Sequence, residues 1–87
     1  MYFTYILQSQ KDRSFYIGYS SNLEQRVEQH NKATTGYTST KKPWKLVYFE
    51  TFEFETDARK RERAIKKKKS RKFIEYLIDG WKYPSIG

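Results

Sequence analysis

The chain opens on a run of aromatic and β-branched residues, Tyr2 to Leu7, a composition that favours a pleated strand. A polar stretch, Gln10-Lys11-Asp12-Arg13, separates it from a second such run, Phe15-Tyr16-Ile17-Gly18-Tyr19, and the two read as a hairpin. Ser21 with Glu24 three residues on forms a capping-box pattern, which predicts a helix reaching about Asn31. Residues 32–43 are small, polar and basic, punctuated by Gly36 and Pro43, and read as a surface loop. Trp44 to Phe54 repeats the strand composition. Thr56 and Asp57 are the expected caps of a second helix, with Asp57 at its positive end. Ser70 starts a third, whose Phe73, Ile74 and Leu77 make an apolar stripe and which Gly80 ends. The fold class is α+β: a small three-stranded antiparallel sheet flanked by three helices, one domain over residues 1–80, with a C-terminal tail at 81–87.

The pattern also places charge where apolar residues are expected. In the first helix Leu23 and Val27 define the side that faces the sheet, and Arg26 and His30 share or border it. In the second, Glu62 lies between Ala58 and Ile65 on the inward stripe of an otherwise basic helix. A buried carboxylate needs a cation or a wet cleft beside it. A structural explanation is open for each: Arg26 and Glu62 as an ion pair at the core's edge, His30 as a satisfied core histidine. Tyr5 and Tyr16, on strands expected to pair, fit ordinary aromatic packing equally well.

Composition narrows the functional classes. Eighty-seven residues suit one domain with a thin core. Without cysteine, any metal must be held by oxygen or by the lone histidine, which favours a hard cation over structural zinc. The N-terminal apolar stretch is too short and too polar for a signal peptide or a membrane span, so a cytoplasmic protein without membrane contact is expected. Eighteen lysines and arginines against ten acidic residues leave a formal charge of +8, which attracts polyanions. Arg59, Arg63, Lys66 and Lys67, aided by Lys32, Lys41 and Lys42 in the loop, are the candidate surface for a nucleic-acid backbone. No element has the look of a base-reading helix, so recognition of shape is expected.

Taken together, the residues resemble the GIY-YIG nuclease superfamily, and within it the small stand-alone bacterial members. Its two short motifs are matched by Phe3-Thr4-Tyr5 and Tyr16-Ile17-Gly18 at the characteristic separation. Asn22 to Asn31 is similar to the helix that carries the family's arginine, at Arg26, and Ala58 to Lys66 to the helix that carries its metal-binding glutamate, at Glu62. Tyr37-Thr38 and Lys42 to Tyr48 are similar to the stand-alone subgroup. The likeness spans about residues 2–78. Two departures stand out: Phe3-Thr4 replaces Gly-Ile in the first motif, and the asparagine of many larger relatives has no counterpart between Lys67 and Lys72.

The resemblance implies an endonuclease dependent on Mg²⁺ or Mn²⁺, acting on DNA, with RNA also open, in repair or recombination. It implies Glu62 as the metal ligand, Arg26 on the scissile phosphate, and Tyr5, Tyr16 and His30 around the attacking water, with Tyr16 preferred as base because it lies beside Gly18. A module of the same fold that binds nucleic acid without cutting is the alternative. Nucleases this small can also rely on a partner protein for targeting.

Overall fold

Strand β1 (Tyr2–Ser9) lies at the centre of a three-stranded antiparallel sheet, between β2 (Phe15–Ser20) and β3 (Trp44–Phe52). This architecture comes from a computed structural model, which describes residues 1–81. Between β2 and β3 run α1 (Leu23–Lys32) and a single-turn helix, α2 (Tyr37–Thr40). After β3 come α3 (Glu55–Lys68) and α4 (Arg71–Gly80). Four helices thus stand where three are expected, because the polar loop folds one turn of its own.

Helices cover both faces of the sheet, which explains why Thr4, Tyr5, Ile6 and Leu7 are all buried in succession. A central strand covered on both sides reads as a continuous apolar run and loses its alternation. On one face Ile6 packs with Tyr48, Ile65 of α3 and Ile74 of α4. On the other, Tyr5, Leu7 and Trp44 pack with Tyr16, Leu46 and Phe49 beneath Leu23 and Val27 of α1. A bulge opposite Ile6 and Leu7 inserts Val47 into β3.

α3 carries only two buried residues, Ala58 and Ile65, so polar contacts supplement its docking. Thr4 Oγ1 donates to the Ala58 carbonyl at 2.6 Å. Arg61 forks onto Glu50 of β3 at 3.0–3.1 Å, and Tyr48 donates to the same carboxylate. Burial and Glu50 push the Tyr48 phenol up to about 12.

Two helix caps differ from expectation. Asn22, not Ser21, caps α1: its side chain accepts from the Gln25 amide at 3.0 Å, the reach an N-cap requires. α3 begins at Glu55, before Thr56 and Asp57, with Phe54 at the cap position and no side-chain cap. Glu55 and Asp57 lie in its first turn, where the helix dipole favours negative charge. Ser70 caps α4 as expected, accepting from the Phe73 amide at 3.1 Å. Of the tail expected at 81–87, Trp81 packs on Tyr48 and Phe49, and residues 82–87 lie outside the described residues.

Candidate active site

The hairpin register places Tyr5 directly opposite Gly18. A Cβ on Gly18 would lie 2.6 Å from the Tyr5 hydroxyl oxygen and 2.8 Å from Cζ, inside any tolerable contact. The glycine is therefore a space requirement, because the Tyr5 ring occupies the volume that a side chain would fill. This changes the reason for which Gly18 matters: the gap serves Tyr5 and leaves no opening beside Tyr16. Tyr5 is only 1% exposed, whereas Tyr16 is half-buried.

The two phenol rings stack at 6.5 Å between centroids. His30, in the last turn of α1, joins them from the covering helix. Its ring lies 4.5 Å from that of Tyr16, and its Nε2 shares a 3.2 Å hydrogen bond with the Tyr5 hydroxyl. Trp44 closes the cluster from β3, 6.1 Å from Tyr16 and 6.5 Å from His30. Asn31 fixes that approach: the Trp44 amide donates to Asn31 Oδ1 at 2.5 Å, and Asn31 Nδ2 donates to the Trp44 carbonyl at 3.0 Å.

Burial raises the Tyr5 phenol well above its ordinary value. The neighbouring Tyr16 adds to this, Arg26 opposes it, and Glu62 adds to it. Arg26 and Glu62, from helices on opposite faces, thus both act on one phenol. Burial and then Arg26 lower His30, which keeps the imidazole neutral at neutral pH.

The depressed His30 makes a pH prediction. Above the ordinary histidine value of about 6.5 the ring is neutral in both folded and unfolded chains. Below it the unfolded chain takes up a proton that the folded one resists, so stability falls with pH. Melting temperatures taken from about pH 7.5 down to 5 should decline, and His30→Gln should flatten that slope. An unchanged slope in the variant would assign the decline to another group.

Glu62 keeps a side-chain exposure of 16% and bonds Lys66 at 3.1 Å through Oε2; it forms no ion pair with Arg26. Arg26 is exposed and its guanidinium has no ion-pair or hydrogen-bond partner among the described residues.

Of the basic candidates, Lys32 pairs with Glu28, Lys41 with Asp12, and Lys42 donates to the Ala33 carbonyl. Arg59, Arg63 and Lys67 differ. They recur every fourth residue along one exposed stripe of α3, unpaired among the described residues. Sequence alone leaves the contributions of Asn31 and Trp44 unassigned and credits Gly18 to Tyr16, whereas its space serves Tyr5.

Comparisons with known proteins bear on the family and the fold. The family described as GIY-YIG catalytic domain matches residues 1–75, and the chain belongs to it. It therefore has a nuclease-type fold, and within the family it is similar to small UPF0213 proteins. One, from Clostridium perfringens, is 47% identical over 68 residues, covering 77% of this chain and 72% of the relative. Another, from Listeria welshimeri, is 37% identical over 79 residues, covering 90% and 87%. The solution NMR structure of a UPF0213 protein from Bacillus halodurans superposes with a TM-score of 0.59 at 28% identity, covering 98% of this chain and 90% of that one. Among the described residues no helix is long and apolar enough to cross a membrane.

Proposed function

We propose that this chain is a metal-dependent endonuclease that hydrolyses phosphodiester bonds of DNA, directed mainly by structure, in cytoplasmic DNA repair or recombination. The observation that carries the reading is the convergence of Tyr5, Tyr16 and His30 at a point on which both an arginine and a glutamate act. In-line hydrolysis needs such a set: a group to orient and deprotonate water, and a cation for the charge that develops on phosphate.

Arg26, unpaired and on the surface, would fork onto the non-bridging oxygens of the scissile phosphate. Tyr16 has surface to offer an attacking water, with the neutral imidazole of His30 beside it to take up the proton. Tyr5 is a positioning residue: it remains a phenol and holds His30 through Nε2.

Among the described residues no three carboxylate or histidine groups gather into a metal cage. A lone, largely covered carboxylate still fits Mg²⁺ or Mn²⁺, because Mg²⁺ keeps several waters and binds through one or two carboxylates plus substrate phosphate. Glu62 would hold the ion through Oε1, which Lys66 leaves unused. When bound, the ion would supply positive charge to the reacting phosphate.

The test is supercoiled plasmid and labelled branched DNA incubated with Mg²⁺, with Mn²⁺ and with EDTA. Metal-dependent cutting supports the reading. Salt-sensitive binding without cutting would replace it with a binding module. The unpaired stripe on α3 predicts an affinity that falls with salt at a slope of roughly 0.9 per phosphate neutralised. Arg63→Gln should lower that slope by about one and weaken all sequences alike. Anisotropy titrations between low and moderate salt check this, and an unaltered slope would remove the stripe from the interface.

A further inference from the structure

A cavity lies where the start of β1, the end of β2, α1 and the first turn of α3 meet. Its volume is about 280 Å³, and Tyr2, Tyr19, Ser20, Ser21, Arg26 and Glu55 line it. Two features find no use within the protein. Arg26 and Glu55 bring opposite charges to one cleft yet form no ion pair, and neither side chain is hydrogen-bonded among the described residues. Tyr2 and Tyr19 are half-buried, and neither has a ring partner among the described residues. Glu55 also precedes Glu62 by two helical turns on the same face of α3, roughly 10 Å along its axis. The cleft is thus within reach of a nucleotide adjoining the one being cut.

We propose that this cleft receives one unpaired guanine nucleotide next to the scissile phosphate, with Glu55 reading the base; this rests on the nuclease reading above. Tyr2 and Tyr19 wall the cleft and confine a base by shape, whatever its identity. Arg26, already on the cleft wall, serves the adjoining phosphate. Selection falls to Glu55, because an ionised carboxylate can only accept hydrogen bonds. Guanine alone sets two donors, N1–H and the N2 amino group, side by side to meet both carboxylate oxygens. Adenine and cytosine offer an amino donor next to a ring-nitrogen acceptor, and uracil or thymine an N–H between two carbonyls. Each of these turns an acceptor toward a carboxylate oxygen, which penalises the wrong base. In a duplex the guanine donors are occupied by cytosine. The cleft therefore reads unpairing and base together, and an unpaired base is itself a structural signal.

The experiment titrates the metal-free full chain with 5′-GMP, IMP, AMP, CMP and UMP and follows backbone amides by NMR. GMP should shift residues 2, 19, 21, 26 and 55 and bind about tenfold more tightly than IMP, which lacks only the N2 amino group. In Glu55→Gln, GMP and IMP should bind alike, and Tyr19→Leu should weaken every nucleotide about tenfold without changing their order. Equal affinities in the wild type, shifts confined to other residues, or a guanine preference that survives Glu55→Gln would each overturn the assignment. Plasmid cleavage measured alongside separates the two readings. Cutting without guanine preference removes the cleft assignment alone, and guanine preference without cutting keeps the cleft and removes the nuclease.

Discussion

Replacing Arg26 or Glu62 with alanine is expected to slow DNA cleavage by at least about 10²-fold while leaving DNA binding largely intact. The two residues contribute opposite charges from helices on opposite faces of the sheet, and neither holds the fold together. Arg26 has no partner among the described residues to lose. Glu62 gives up one contact to Lys66, a lysine half exposed to solvent. An effect on rate without an effect on stability is therefore the signature of direct participation in the chemistry. Arg26→Lys keeps the charge and loses the planar fork, so it should fall between wild type and alanine. Arg26→Ala carries a second readout: it removes one of the two causes that lower His30, so the histidine should titrate at higher pH than in the wild type. Single-turnover cleavage, unfolding curves and a histidine NMR titration together decide the matter. Equal cleavage rates in either alanine variant would remove the mechanism.

Gly18→Ala is expected to cost about 1–3 kcal/mol of stability and to disable the site together with it. The added Cβ would sit 2.6 Å from the Tyr5 hydroxyl and 3.2 Å from a ring carbon of Tyr16, so both rings must shift. Tyr5 is fully enclosed between α1 and the sheet and cannot swing into solvent, so its movement breaks the bond to His30. Tyr5→Phe is the informative companion. It keeps the ring in place and deletes only the hydroxyl, at a cost on the order of 1 kcal/mol. Because that hydroxyl is the nearest atom to the new methyl, the double variant should recover part of the stability lost in Gly18→Ala. Recovery is partial because Cζ remains at 2.8 Å. Denaturant unfolding of the four proteins measures the coupling, and additive losses would show that Gly18 and Tyr5 do not compete for space.

The strands are readable from composition because a central strand covered on both faces concentrates aromatic and β-branched residues. α4 is readable because Ser70 caps it and Phe73, Ile74 and Leu77 form its stripe. Other features are silent for physical reasons. α2 is four residues of Tyr, Thr and Ser, too short to display a period. The start of α3 escapes because its cap residue, Phe54, contributes no side-chain hydrogen bond. Within the site, helix geometry alone marks His30 and Glu62 as charges on an inward side and Arg26 as sharing or bordering it, whereas the structure exposes Arg26. That geometry leaves their roles open, because the same positions suit an ion pair or a packed histidine. The Tyr5–Gly18 contact is different. The polar turn at residues 10–13 pairs positions equidistant from its centre, which puts those two opposite each other. The clamp of Asn31 on Trp44 joins the last turn of α1 to the start of β3 and has no sequence pattern of its own.

The order of the site residues along the chain bears on how the protein is made. Both tyrosines, the arginine and the histidine lie within the first thirty residues, on one hairpin and the helix that follows it. The glutamate arrives only with α3, after β3 has crossed the sheet. Chains emerge from the ribosome N-terminus first, and early segments can pair before later ones exist. A nascent chain short of residue 62 thus carries the groups that grip phosphate and orient water but lacks the one proposed to hold the metal. Under the proposed mechanism synthesis itself would act as a safety catch: a half-made chain would lack the proposed metal ligand, and any cutting power would come only with α3.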